Sequence, residues 1–265
     1  MQIIGYIASV LIGISLGLIG GGGSILTVPV LVYLFAIDPV TATGYSLFVV
    51  GSTSLAGAIT KYSQGLINFK TAFIFAIPAV AAVLITRRFL LPAIPKTLFT
   101  IDNFTSTKSL LLMIIFAVLM VFASVSMIRN NGKVVSKESS TKQYNYLMLF
   151  LQGIFVGFIT GLVGAGGGFL IIPALVIFSK LPMKQAVATS LFIIAINNLI
   201  GFFSSPALYE IDWKLLFIVT GLAVGGIFVG NWLSHKISGE KLKKTFGWFV
   251  LFMGIYIIIR EIFFP

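Results

Sequence analysis

The sequence predicts an all-α polytopic membrane protein made of two tandem repeats. Of its 265 residues, 58% are hydrophobic and 9% are charged, whereas soluble domains carry about 25% charged residues. Its apolar segments reach the roughly 20 residues that a helix needs to cross a bilayer. They also lack the strict alternation of transmembrane barrel strands. We therefore expect a multi-pass protein of the cell membrane (inner or plasma membrane), with lipid around it.

Eight apolar segments follow one another along the chain. They are 3–36, 41–59, 71–86, 109–128, 144–179, 185–204, 215–233 and 245–259. The first and fifth are much longer than one crossing, and each contains a glycine cluster, at 17–29 and 161–173. A glycine inside a helix costs about 1 kcal/mol relative to alanine. Each long segment is therefore predicted to hold a helix, a break and a second, shorter helix.

A polar linker at 131–143 separates a first transmembrane repeat, 1–130, from a second, 144–265. Positions 17 and 161 differ by 144, and one offset of 144 aligns the two halves without a gap over about fifty residues. The aligned pairs include Gly13 with Gly157, Pro29 with Pro173, Ser46 with Ser190 and Gly57 with Gly201. Extra residues around 92–107 in the first half are interpreted as a loop insertion. Internal duplication is common among secondary transporters.

The basic residues favour inverted repeats. If each glycine segment crosses the membrane once, the 18 Lys and Arg divide 10 against 8 between the two sides. If each glycine segment enters and returns on one side, they divide 12 against 6. Because cytoplasmic loops are enriched in Lys and Arg, we favour the second arrangement. Each half then has a glycine-broken helical hairpin plus three transmembrane helices, and both termini lie outside.

The glycine breaks are the first candidate site. Backbone N–H and C=O groups freed at membrane depth are tolerated only inside protein or along a watery cavity, and a helix N-terminus attracts anions. The candidate binding residues are Gly21, Gly22, Gly23 and Ser24 in the first half and Gly166, Gly167 and Gly168 in the second. Glycines four residues apart, such as Gly13 and Gly17, instead favour close helix packing.

Polar side chains in the helices after the breaks form the second candidate group. Ser46 and Ser190 occupy equivalent positions, and Thr189 precedes the latter. Asn197 and Asn198 place two adjacent amides in an apolar helix, where each amide needs hydrogen-bond partners. We expect these five residues to contribute to substrate binding.

The composition argues against several classes of protein. All seven carboxylates fall at segment ends or in loops, so a buried proton relay or an intramembrane enzyme has no evident parts. With no Cys and one His, no metal or other cofactor is expected. The net charge of +11 comes from Lys and Arg at the ends of apolar segments, which favours a role in topology over a nucleic-acid partner. The pattern is typical of permeation.

The paired glycine motifs, each followed by a proline, together with Ala-Thr-Ser-Leu at 188–191, resemble the TauE/SafE family of sulfite exporters. The resemblance covers nearly the whole chain. It implies a duplicated membrane permease for sulfite, sulfoacetate or a related organosulfur anion. One departure is that the first half has Thr-Gly-Tyr-Ser-Leu at 43–47 where the second keeps the family-like motif.

The working hypothesis is a secondary transporter, not an enzyme. It would carry a small sulfur-containing anion, sulfite or an organosulfonate, in the direction of export, with the two glycine breaks meeting near the bilayer midplane. Two alternatives stay open, an anion channel and a non-transporting membrane scaffold protein. Assembly into a homo-oligomer is also left open by the sequence.

Overall fold

The fold is described from a computed structural model, which covers residues 2–95, 97–101, 104–129, 146–164, 166–179, 181–205, 211–234 and 239–263. The predicted linker, 131–143, lies outside these residues. The first half contains α1 (Gln2–Ile19), α2 (Thr27–Pro29), α3 (Pro39–Tyr62), α4 (Phe69–Ile85), α5 (Leu91–Ala93) and α6 (Lys108–Arg129). The second half contains α7 (Tyr146–Val163), α8 (Gly168–Phe178), α9 (Met183–Phe203), α10 (Trp213–Leu233) and α11 (Gly239–Phe263).

The helical membrane class holds. Six helices in the described part of the chain are long and apolar enough to cross a bilayer. They are α3, α4 with its continuation to Ala93, α6 as far as Val125, α7, α9 and α10. Large apolar side chains cover the outside of the bundle, with Phe122 71% exposed and Ile77 66% exposed. Such a surface suits hydrocarbon as its solvent.

The described residues also include a β-hairpin. Within the predicted loop insertion, β1 (Thr97–Ile101) and β2 (Phe104–Thr107) pair as an antiparallel hairpin. The helix before the insertion also runs further than the apolar pattern indicated. After Ile85 it continues through a π-helical turn, Thr86–Leu90, into α5. Arg87 therefore lies inside a helix rather than in a loop.

The first glycine cluster ends α1 and turns the chain back along it. After Ile19 the chain forms a 3₁₀ turn, Gly21–Leu26, then α2 and a π-helical turn, Val30–Leu34. The end of this segment reaches the start of α1, since the rings of Tyr6 and Phe35 are 5.4 Å apart. Residues 2–35 thus form a hairpin whose two ends lie at the same level.

The two halves contact each other reciprocally. A methyl group built on Gly13 would overlap the backbone of Ala223, and one built on Gly157 would overlap that of Ala79. Adding 144 to 13 and to 79 gives 157 and 223, so the two contacts are equivalent. Here α1 packs on α10 and α7 on α4 with backbones in contact, which bears out the packing role expected for glycines spaced four residues apart.

The central pair, α3 and α9, run antiparallel past each other. A methyl group on Gly201 would meet Leu47, and one on Gly57 would meet Leu191, so the α9 partner number falls as the α3 number rises. These two contacts are also equivalent under the offset of 144.

The starts of α4 and α10 repeat the same design. Asn68 caps α4 by accepting from Thr71 N at 3.0 Å, and Asp212 caps α10 by accepting from Leu215 N at 3.0 Å. Such caps satisfy amides that have no partner within the helix. The backbone N–H of each capping residue donates across to the other half, as described below.

Candidate functional site

The two glycine breaks touch at Gly21 and Gly168. A methyl group built on either residue would overlap backbone atoms of the other. Only glycine therefore allows these two segments of the backbone to come this close. Because Gly168 is the first residue of α8 and Gly21 the first of the 3₁₀ turn, the contact brings the two helix starts together.

The break in the second half depends on left-handed backbone. Gly164, Gly166 and Gly167 have φ values of +71°, +73° and +62°. In the first half Gly20, the equivalent of Gly164, has φ of +74°. Residues other than glycine rarely adopt positive φ values. The sequence therefore has glycine where the backbone reverses. Gly167 serves as the N-cap of α8.

The glycines of the two breaks face different parts of the structure. Gly23 faces α1, because a methyl group there would overlap Ser15 and Leu16. Gly166 lies between the halves, since a methyl group there would lie 2.8 Å from Val50 Cγ1 and 3.1 Å from Ser24 Cβ of the first half, and 2.9 Å from Asn198 Nδ2 of its own half. Gly22 lies within the 3₁₀ turn, next to this cluster in sequence.

The hydroxyls in the predicted site are already engaged by protein atoms. Ser24 Oγ donates to the carbonyl of Gly21 at 2.7 Å, and Ser190 Oγ donates to that of Val187 at 2.8 Å. Ser46 Oγ donates to the carbonyl of Gly164 at 2.8 Å, across the two halves. These three protons are therefore committed to backbone oxygens.

Thr189 performs a structural task that has an exact counterpart in the other half. Its Oγ1 accepts from Asn68 N at 3.0 Å, and the hydroxyl of Tyr45 accepts from Asp212 N at 2.6 Å. Subtracting 144 from 189 gives 45, and adding it to 68 gives 212. Each bond holds the start of one helix against the other half, and the first pair includes a predicted binding residue.

The amides of Asn197 and Asn198 stand apart from these hydroxyls. They are 1% and 0% exposed, and none of their four side-chain N and O atoms has a hydrogen-bond partner among the described residues. The hydroxyl of Ser54, which is equivalent to Asn198, is likewise buried without a described partner. An unsatisfied buried amide costs about 1–3 kcal/mol, and native proteins usually pair such groups or use them.

Two cavities lie away from the glycine junction, at opposite ends of α3. One, of about 170 Å³, includes Thr41, Arg87 and Ile211 in its lining. The other, of about 310 Å³, includes Ile67 and Gln185. Thr41 is equivalent to Gln185 and Ile211 to Ile67, so the cavities occupy related places in the two halves.

Sequence reasoning missed Arg87 and Tyr45. It treated arginines as topology signals at the ends of apolar segments, but the helix passes beyond Arg87 and buries it to 2% exposure. The apolar residues Phe-Leu-Leu at 89–91 were the available signal. For Tyr45, the signal was its alignment with Thr189 in the repeat.

Broken helices that meet inside a multi-pass helical bundle are common in membrane transporters. Comparison with known proteins agrees. The family model described as "Sulfite exporter TauE/SafE" matches residues 6–257, and the chain belongs to that family. It is a multi-pass protein of a membrane transporter family.

Curated relatives carry names of the same kind. A "Probable membrane transporter protein" of Xylella fastidiosa is 30% identical over 95% of this chain and 92% of its own length. The "Probable membrane transporter protein YunE" of Bacillus subtilis is 27% identical over 97% of this chain and 99% of its own. No solved structure matches.

Proposed function

We propose that this protein is a secondary transporter that exports a small sulfur-containing anion, sulfite or an organosulfonate. The anion would bind where the two glycine breaks meet. The observation that carries the proposal is the pair of buried amides at Asn197 and Asn198, whose atoms have no described partner. An Asn NH₂ group offers two donors, and those of Asn198 lie beside Gly166.

Within this site the predicted residues divide into two roles. The amides of Asn197 and Asn198 and the backbone around Gly21, Gly22, Gly166 and Gly168 would contact the anion. The hydroxyls of Ser24, Ser46 and Ser190 donate to backbone carbonyls, and Thr189 Oγ1 accepts from Asn68 N. Gly23 faces α1 and Gly167 faces α7. These residues would hold the breaks in place.

Inverted repeats follow from the same contacts if the central helices cross the membrane. Because α3 and α9 run antiparallel and are equivalent in the duplication, the operation that relates the halves would reverse direction across the bilayer. The hairpin of residues 2–35 supports this, since its ends lie at one level and leave α3, α4 and α6 as three crossings. With the Lys and Arg bias, the end of α4 at Arg87 faces outside.

The two cavities support alternating access. They occupy related places at opposite ends of α3, where rocking of one half against the other would open one and close its counterpart. Export of one negative charge through a 100 mV inside-negative potential gains about 2.3 kcal/mol. Export can therefore proceed without a coupled ion.

The proposal is tested by ligand-dependent thermal stability of the purified protein. Sulfite, sulfate, thiosulfate and short sulfonates are screened on wild type, Asn198→Leu and Thr220→Val. The last variant removes another buried hydroxyl without a described partner, on α10, as a matched control. We expect at least one sulfur anion to raise the melting temperature of wild type and of Thr220→Val, and most of that rise to be lost in Asn198→Leu. No shift with any anion would favour the scaffold alternative, and an equal shift in Asn198→Leu would move the site elsewhere.

A further inference from the structure

The cavity at the start of α3 carries a buried positive charge. Its volume is about 170 Å³, and its lining includes Thr41, Tyr45, Arg87, Lys108, Phe202 and Ser205. A single water needs roughly 10–15 Å³ of such space, so the cavity has room for a small oxyanion together with water. Most of the remaining lining is apolar.

Arg87 is 2% exposed, and its Nε and Nη2 have no hydrogen-bond partner among the described residues. It lies in the π-helical turn Thr86–Leu90, and its neighbour Arg88 is exposed. π-Helical turns are rare in proteins overall, and those that occur are often found at functional sites. A buried guanidinium without a partner costs several kcal/mol, so a counter-charge is expected here.

Lys108 adds a second cation. Its Nζ donates to the carbonyl oxygen of Leu91, and an ammonium has three donors, so two remain for another group. The charge of Asp38 acts on Lys108, but both oxygens of this carboxylate already accept hydrogen bonds. Its Oδ2 caps α3 at Val40 and Thr41, and its Oδ1 accepts from Ser109 Oγ at 3.1 Å.

We propose that this cavity is an oxyanion-binding site in which the Arg87 guanidinium and the Lys108 ammonium hold the ligand. A guanidinium presents two parallel N–H donors to an oxyanion, and Nε with Nη2 is such a pair. The ligand is a free oxyanion such as sulfite or sulfate, or the phosphate of an anionic lipid headgroup. The site is separate from the glycine junction, and its occupancy does not require transport.

The position equivalent to Arg87 in the second half carries no charge. Subtracting 144 from 231 gives 87, so the equivalent of Arg87 in the second half is Asn231, a neutral residue that is 6% exposed. Both equivalent positions therefore hold a buried polar side chain, but only position 87 holds a cation. The two halves therefore differ at this position, although the other end of α3 holds Lys61, which is 8% exposed.

The test measures binding to delipidated protein in detergent, by calorimetry and thermal shift. The probes are sulfite, sulfate and dihexanoyl phosphatidylglycerol. The variants are Arg87→Gln and Lys108→Gln, with Arg88→Gln as the matched control on the exposed neighbour. All are made in wild type and in Asn198→Leu, so that a site at the glycine junction is scored separately.

We expect at least one probe to bind in the Asn198→Leu background and its Kd to rise at least about tenfold in Arg87→Gln and in Lys108→Gln, while Arg88→Gln changes it less than about twofold. Binding of sulfite or sulfate identifies a free oxyanion as the ligand, and binding of the phosphatidylglycerol alone identifies a headgroup. Without any probe, Arg87→Gln should melt at or above the wild-type temperature, because it removes an unpaired buried charge. The proposal is overturned if no probe binds or if binding survives in Arg87→Gln. It is also overturned if Arg87→Gln melts well below wild type, because a carboxylate outside the described residues would then already pair with Arg87.

Discussion

Ser46 Oγ donates a 2.8 Å hydrogen bond to the carbonyl oxygen of Gly164, and so ties the central helix of one half to the glycine break of the other. Its equivalent in the duplication, Ser190, donates instead to Val187 within its own helix. The two serines aligned by sequence therefore do different work. One joins the halves, and the other does not.

This difference gives the first prediction. Ser46→Ala leaves the buried Gly164 carbonyl without its donor and should cost about 1–3 kcal/mol of stability. Ser190→Ala removes only a bond within a turn of its helix and should cost less. Thermal unfolding of the two purified variants measures this, and an equal or larger loss in Ser190→Ala would contradict the assignment of Ser46 as the link between halves.

The second prediction concerns the contact between the breaks. Gly168→Ala forces a methyl group into the backbone of Gly21, and overpacking of this kind typically costs about 1–3 kcal/mol. Gly221→Ala is the control, because nothing lies within 4 Å of a methyl group there, and alanine is the better helix former. Melting temperatures should fall for the first variant and stay level or rise for the second. Equal melting temperatures would show that the two breaks are not in contact.

The sequence was sufficient for the helical membrane class and for the packing glycines, because those features depend on local chemistry. Hydrophobic segments and glycine runs are readable residue by residue, and Gly13 and Gly157 meet facing backbones as their spacing predicted. The offset of 144 also identified equivalent positions before any contact was known.

Partners across the bundle could not be predicted in this way. Which hydroxyl bonds to which carbonyl depends on rotamers and helix rotation, so Ser46 and Ser190 looked alike in sequence. Arg87 is buried because the helical chain continues after α4 into the π-helical turn. Two adjacent arginines in the sequence suggested that the helix ended before them. The strands at 97–101 and 104–107 were also missed, because a short hairpin of mixed polar and apolar residues and a loop have similar compositions.

The third prediction tests inversion of the repeats. Lys70 and Lys214 are equivalent, since 70 and 214 differ by 144, and both are exposed near helix starts. The chain has no Cys, so Lys70→Cys and Lys214→Cys each introduce one reactive thiol. In intact cells an impermeant maleimide should label the Lys214→Cys variant, and it should label the Lys70→Cys variant only after permeabilisation. Labelling of both from one side would contradict inverted repeats.

The most direct measurement of the central claim is the flux of radiolabelled sulfite from proteoliposomes. Wild type should release sulfite faster than protein-free vesicles, with a rate that saturates at carrier-like turnover. Asn198→Leu has as many side-chain heavy atoms as asparagine and lacks the unsatisfied amide, so it should fold with equal or greater stability. It should lose most of that flux, while Thr220→Val keeps it. Wild-type flux no faster than protein-free leak, or full flux in a well-folded Asn198→Leu, would contradict a sulfite transporter with its binding site at the junction of the glycine breaks.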